Sequence, residues 1–149
     1  MSDISIDLIW KLEKGEMSPG KYSNQHEIIL TSNTKIKGDS APDWRGSKLN
    51  SNPEQTLAAS ISSCHMMTFL ALAAKMNWPV ISYKDKAFAV LGKNSKGLMS
   101  VTEIKLNPKV EFSNGFTVDS LKMKEVQDRA HRYCFISNSL SKEVKVKIN

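Results

Sequence analysis

The chain has 149 residues, with 21 Lys+Arg against 15 Asp+Glu, a net charge of +6, 40% hydrophobic residues and two cysteines. That length suits one domain over residues 1–149, able to bury roughly 68–70% of its unfolded surface without a disulfide or structural metal. Two cysteines 70 positions apart exclude a disulfide-rich scaffold, and three Trp, five Phe and many aliphatic residues exclude disorder.

In chain order, Ile4, Ile6, Leu8 and Trp10 alternate with polar residues, except at Ile9, and predict a half-buried strand. Glu13 to Gly20 holds two glycines and a proline and reads as a turn, after which a second strand is expected over about Ser23–Thr31. A polar loop, Ser32 to Ser51, follows, with Gly38, Pro42, Gly46 and an isolated Trp44-Arg45 pair. Loops of that length inside a domain are often functional.

Asn52 is a good N-cap, Pro53 fits the first helical position, and Gln55 can complete a capping box. From Leu57 to Met76 the sequence is apolar or small nearly all round, which predicts a helix sheathed by protein and stopped by Asn77-Trp78-Pro79. This run also holds Ser60, Ser62, Ser63, His65, Thr68 and Lys75, which argues for a buried helix over a membrane span. Two strands are expected at Val80–Leu91 and Met99–Phe112, joined by a turn over residues 92–97. Val118, Leu121, Val126, Ala130 and Tyr133 recur at helical spacing, Ser137-Asn138-Ser139 breaks that helix, and Glu143–Ile148 alternates as a last strand. Hairpins separated by helices, in the order ββ-α-ββ-α-β, give an α+β fold.

The start of the chain is acidic and lacks a basic segment before an apolar run, so no secretory signal is expected and a cytoplasmic setting is. Residues 1–78 hold 8 basic and 8 acidic side chains, whereas residues 79–149 hold 13 and 7. The lysines fall singly between apolar residues, as in Val144-Lys145-Val146-Lys147-Ile148, without an arginine cluster or repeated aromatics. That pattern predicts a solvated strand face with lysines guarding an edge, and no nucleic-acid partner.

The chemistry-bearing residues are Cys64, inside the apolar helix, and Cys134, at the end of the second helix. One reading makes them inert small hydrophobes, in a non-catalytic dimer. A second makes them a dithiol, in which one thiolate is oxidised to a sulfenic acid and the other condenses with it. A mid-helix thiolate needs a cation, because apolar burial raises a thiol pKa, and Arg45 in the polar loop is a candidate. A third reading is zinc, from Cys64-His65 and His131-x-x-Cys134. Adjacent residues on a helix point about 100° apart, so Cys64 and His65 can hardly share one ion.

The run Asn52-Pro53-Glu54-Gln55-Thr56-Leu57-Ala58-Ala59, with Cys64 four residues on, resembles the N-P-E…A-A…C segment of the OsmC/Ohr superfamily, the osmotically inducible and organic-hydroperoxide-resistance proteins. Ala130-His131-Arg132-Tyr133-Cys134-Phe135-Ile136-Ser137-Asn138 resembles their second signature, A-H-x-x-C-P-x-S-N. The resemblance implies antiparallel sheets around a long central helix, an intertwined homodimer, and a peroxidase that reduces organic hydroperoxides in stress defence. It implies Cys64 as the attacking and Cys134 as the resolving cysteine, Glu54 as the carboxylate that orients the arginine, and Arg45 as that arginine. Arg45 is the first arginine of the chain, which points to the OsmC-like branch. No bound cofactor is implied, only an external dithiol or lipoyl-type reductant. Two positions depart from the pattern: Phe135 stands where proline is usual, and His65 where an aromatic residue is common.

Spacing adds one expectation. Glu54 and Cys64 are 10 residues apart, so along one helix they are separated by ~15 Å and cannot meet. A shared site, with Glu54 and Arg45 serving the Cys64 of a second copy, resolves this. Met66, Met67 and Phe69 are candidates for an alkyl pocket, or for plain core.

Overall fold

The structure is a computed structural model that describes residues 3–113 and 115–149. The chain divides into two compact units, one ending at Thr56 and the other spanning Leu57–Asn149.

The first unit is built on an antiparallel meander of β1 (Asp7–Ile9), β2 (His26–Thr31) and β3 (Thr34–Gly38). In its register Leu8 faces Ile28 and Ile28 faces Ile36. β3 falls inside the expected Ser32–Ser51 loop. With Ile36 as its one aliphatic residue, the segment carries little hydrophobic pattern, and it becomes a strand because the Ser32-Asn33 turn folds it back on β2. Gly38 leaves room for its partner, since a Cβ there would meet the His26 ring and force it to move. Pro42–Trp44 forms a short 3-10 turn, and Ser51 returns alongside Gly38. Among the described residues of this unit no apolar side chain is buried, and Ile4 and Leu49 are each 95% exposed.

The long helix α1 runs unbroken over Pro53–Lys75. The expected capping box is present: Gln55 N–H donates to Asn52 Oδ1 (2.9 Å), and Asn52 N–H donates to Gln55 Oε1 (3.1 Å). Asn77 ends the helix in the left-handed conformation (φ 55°), with Trp78 N–H returning to Ala73 O at 3.0 Å.

In the second unit each of the two long strands expected from sequence is broken in two. β4 (Val80–Lys84) pairs antiparallel with β7 (Lys109–Phe112), and β5 (Phe88–Lys93) pairs antiparallel with β6 (Met99–Leu106). The breaks at Asp85-Lys86-Ala87 and Asn107-Pro108 are tied together, because Asn107 N–H donates to Asp85 Oδ1 at 2.7 Å. β8 (Lys145–Ile148) joins β6 in parallel, the one parallel pairing among the described strands. Its lysines alternate outward as expected, and Lys147 pairs with Glu103 of β6. Helix α2 (Ser120–Tyr133) is capped by Asp119, whose Oδ1 accepts from Lys122 N–H at 2.9 Å. A further short helix, α3 (Phe135–Asn138), runs into the Ser137-Asn138-Ser139 segment expected to end the second helix, which in fact stops at Tyr133.

The core of this unit forms around α1. Ala58 and Ile61 pack with Ile104 and Leu106 of β6, and about two turns beyond them Phe69 and Ala73 pack with Val126 and Ala130 of α2. By length and composition alone α1 could cross a membrane. Its buried residues, Ala58, Ile61, His65, Phe69 and Ala73, recur every three or four positions and make one core stripe. The opposite stripe, including Ala59, Ser63, Met67 and Ala71, is exposed, so α1 is not sheathed on most sides as its composition predicted.

Candidate thiol site

Cys64 and Cys134 are both free thiols, and the fold places them near enough for the Cys134 thiol to act on the Cys64 pKa. Cys64 is half-buried on the flank of α1, one position from the core stripe. Cys134 is fully buried at the junction of α2 and α3. It closes α2 and caps α3 with its sulfur, which accepts Ser137 N–H at 3.4 Å. Cysteine is not a common N-cap, so the sequence offers no standard signal for α3.

Burial pushes the Cys64 thiol up, and its contact with the Cys134 thiol pushes in the same direction. The backbone N–H groups of Ile136 and, to a lesser extent, Phe135 oppose this by favouring the thiolate. The opening amides of α3 therefore act on both sulfurs: those of Ile136 and Phe135 favour the Cys64 thiolate, and that of Ser137 donates to Cys134. A proline at 135 has no N–H, so the departure from the family pattern adds a donor beside Cys64.

His65 is fully buried, and its ring meets Gln127 of α2, with Nε2 2.7 Å from Oε1. An amide oxygen only accepts, so Nε2 carries the proton and the buried Nδ1 is left without a partner. Burial lowers the His65 pKa; the Gln127 bond and Asp85 oppose this, and His131 adds to it. Asp85 in turn accepts the Ser62 hydroxyl. Tyr83 has a buried hydroxyl with no partner, and its pKa is raised by burial and by Asp85. Composition gave no hint of these buried polar contacts. The signal that could have found it is Gln127, the one amide on the apolar stripe of α2 (Val126, Gln127, Ala130).

Arg45 and Glu54 belong to the first unit. Arg45 closes the 3-10 turn in a left-handed conformation (φ 67°), rare for a residue with a side chain. It lines an open cleft of about 460 Å³ with Tyr22, Gln25, Asp39 and Trp44. Asp39, which sequence reasoning did not single out, braces this loop from a buried position. Its Oδ1 accepts Ser40 N–H (2.8 Å) and its Oδ2 accepts Ser47 N–H (2.9 Å). Burial opposes ionisation of Asp39, but these N–H bonds outweigh it and the pKa is lowered. Gly46 closes the loop so tightly that a Cβ would lie 1.6 Å from Ser40 O. Glu54, in the first turn of α1, has one carboxylate oxygen, Oε2, buried without a hydrogen-bond partner.

Phe69 belongs to the core, and Met67 is 58% exposed. Among the described residues no three His, Cys, Asp or Glu side chains gather as a metal site. The Cys64, His65, His131 and Cys134 set of the zinc reading does not form.

Comparison with known proteins adds to this. A family model described as OsmC-like protein matches residues 46–149. An OsmC-like protein of unknown function from Vibrio cholerae is 34% identical, with full coverage of both chains and a TM-score of 0.86. An organic hydroperoxide resistance protein from Elizabethkingia anophelis shares the fold at 15% identity, 99% and 94% coverage and a TM-score of 0.75. One from Legionella pneumophila does so at 15% identity, 99% and 97% coverage and a TM-score of 0.72. No curated protein matches the sequence.

Proposed function

Because this chain belongs to the OsmC-like family, we propose that it is a thiol peroxidase acting on organic hydroperoxides in stress defence, in the cytoplasm. The observation that carries this reading is the proximity of two free thiols, close enough for one to shift the other's pKa, with Cys64 half-buried and Cys134 fully buried. A nucleophile needs access to substrate, and the thiol that resolves it needs only access to the nucleophile. In the proposed cycle the Cys64 thiolate attacks the distal peroxide oxygen. The O–O bond breaks, the alkoxide leaves and takes a proton to become the alcohol, and Cys64 becomes a sulfenic acid. Cys134 then attacks that sulfur, water leaves, and a disulfide forms. An external dithiol, of lipoyl type or another class, restores both thiols by exchange, with no bound cofactor.

Within its own unit the Cys64 thiol is held up by burial, so the reaction needs a cation. In this proposal Arg45 supplies it and Glu54 orients the guanidinium, from a second copy of the chain. The assignment rests on the motif match and on the ten-residue spacing along α1. A homodimer is further supported by the exposed stripe of small residues and Met67 on α1, and by the absence of buried apolar side chains among the described residues of the first unit. The test is consumption of an organic hydroperoxide in the presence of a dithiol. We expect turnover by the native protein and none by Cys64→Ser, and an unchanged rate in that variant overturns the reading.

A further inference from the structure

We propose that His65 and Gln127 are a positioning pair: their buried hydrogen bond fixes the register of α1 against α2 and thereby sets how readily Cys64 and Cys134 close into a disulfide. The bond is short, 2.7 Å, and both residues are buried, His65 fully and Gln127 with 5% exposure. Among the described residues no other side-chain hydrogen bond joins these two helices. The rest of their contact is the apolar cluster of Phe69, Ala73, Val126 and Ala130. Apolar packing is non-directional and allows small sliding, whereas a hydrogen bond weakens steeply with misalignment.

The pair is placed where register matters. His65 is the residue after Cys64, and Gln127 lies seven positions, two turns, before Cys134 on the same buried stripe as Ala130. Movement of α1 along α2 at the pair is therefore carried directly to the two sulfurs. Disulfide geometry tolerates little of it, because the S–S bond is about 2.05 Å and its dihedral is confined near 90°. The pair is itself held: Gln127 Nε2 faces Met123 Sδ at 3.9 Å, which keeps Oε1 turned to the imidazole. His65 and Gln127 touch neither substrate nor the reacting sulfurs in this scheme and act only through the helices that carry them.

The inference rests on the peroxidase reading for its place in a catalytic cycle, but disulfide closure is measurable without peroxide. Reduced protein is equilibrated with graded mixtures of oxidised and reduced dithiothreitol. Closure passes two electrons and two protons from Cys64 and Cys134 to the reagent's disulfide. In a parallel arm, closure is timed after one equivalent of cumene hydroperoxide. Gln127→Leu, which removes the acceptor, should shift the equilibrium about tenfold toward the dithiol and slow closure about tenfold, while melting cooperatively. Gln127→Glu, which keeps an acceptor, should restore most of both. If Gln127→Leu does not fold, Gln127→Asn, whose amide is drawn back by one methylene, takes the same measurements with the same expected direction. A folded Gln127→Leu or Gln127→Asn protein with unchanged equilibrium and closure rate overturns the proposal. Should the native protein ignore the hydroperoxide while the equilibrium still shifts, the peroxidase reading falls and the positioning pair stands. Turnover of hydroperoxide with no shift in the variants leaves the peroxidase reading in place and overturns the positioning pair.

Discussion

Phe135 offers the sharpest separation of local chemistry from folding. Its side chain is 80% exposed, so replacing the ring removes little packing. The residue opens α3, a position proline favours, and the preceding Cys134 has the extended conformation (φ −72°, ψ 111°) that proline demands of its neighbour. Among the described residues the Phe135 N–H has no backbone acceptor, and it acts to lower the Cys64 pKa. Phe135→Pro should therefore keep the fold and delete one donor to the thiolate. A hydrogen bond to a charged group is worth about 1.5–3 kcal/mol. The Ile136 amide remains and is the stronger of the two, and Cys64 is only half-buried, so the lower end is the upper bound, about tenfold in thiolate fraction. A more basic thiolate is also more nucleophilic, which offsets about 2.5-fold and leaves a net loss of at most about fourfold. The assay is the pH dependence of Cys64 alkylation, followed by peptide mass mapping to separate it from Cys134. The alkylation curve should move to higher pH with a rate lower by up to about fourfold on its acid side. A folded variant whose curve stays in place or moves to lower pH refutes the reasoning.

Mixing Cys64→Ser chains with Glu54→Ala chains should restore activity that neither variant shows alone, because one of the two mixed sites keeps both residues; no recovery removes the shared-site assignment. His65 has a pKa below its ordinary 6.5, so its contribution to stability is complete above that value and is lost as the pH falls below it, while His131 and Asp85 act on the same ring. The melting-temperature advantage of the native protein over His65→Gln should narrow between about pH 7.5 and 5.5, and a constant or widening advantage contradicts a buried neutral imidazole.

Local signals carried a good part of the fold. The reciprocal Asn52–Gln55 cap and the Asn77 stop lie within a few residues of the ends they define, so α1 was legible to its ends. The elements that were missed depend on partners elsewhere. β3 has a single aliphatic residue, Ile36, and is a strand because β2 supplies its ladder. The break after Leu106 had a visible cause in Pro108, which a single strand over Met99–Phe112 passes over. The matching break at Asp85 had none, because its carboxylate is claimed by Ser62 and Asn107, 23 and 22 positions away.

The same division runs through the thiol site. The sequence by itself determined that two cysteines sit in two family motifs, which was enough to name Cys64, Cys134, Arg45 and Glu54 as candidates. Only the tertiary structure decided that the Cys64 thiol lies near enough to Cys134 to be shifted by it, that the opening amides of α3 act on both sulfurs, and that His65 is tied to Gln127. Residue type and spacing specify what a side chain can do along its own helix. Which groups it meets, and how far burial shifts its proton, depend on the packing of segments 60 and more residues apart, and no local pattern records that.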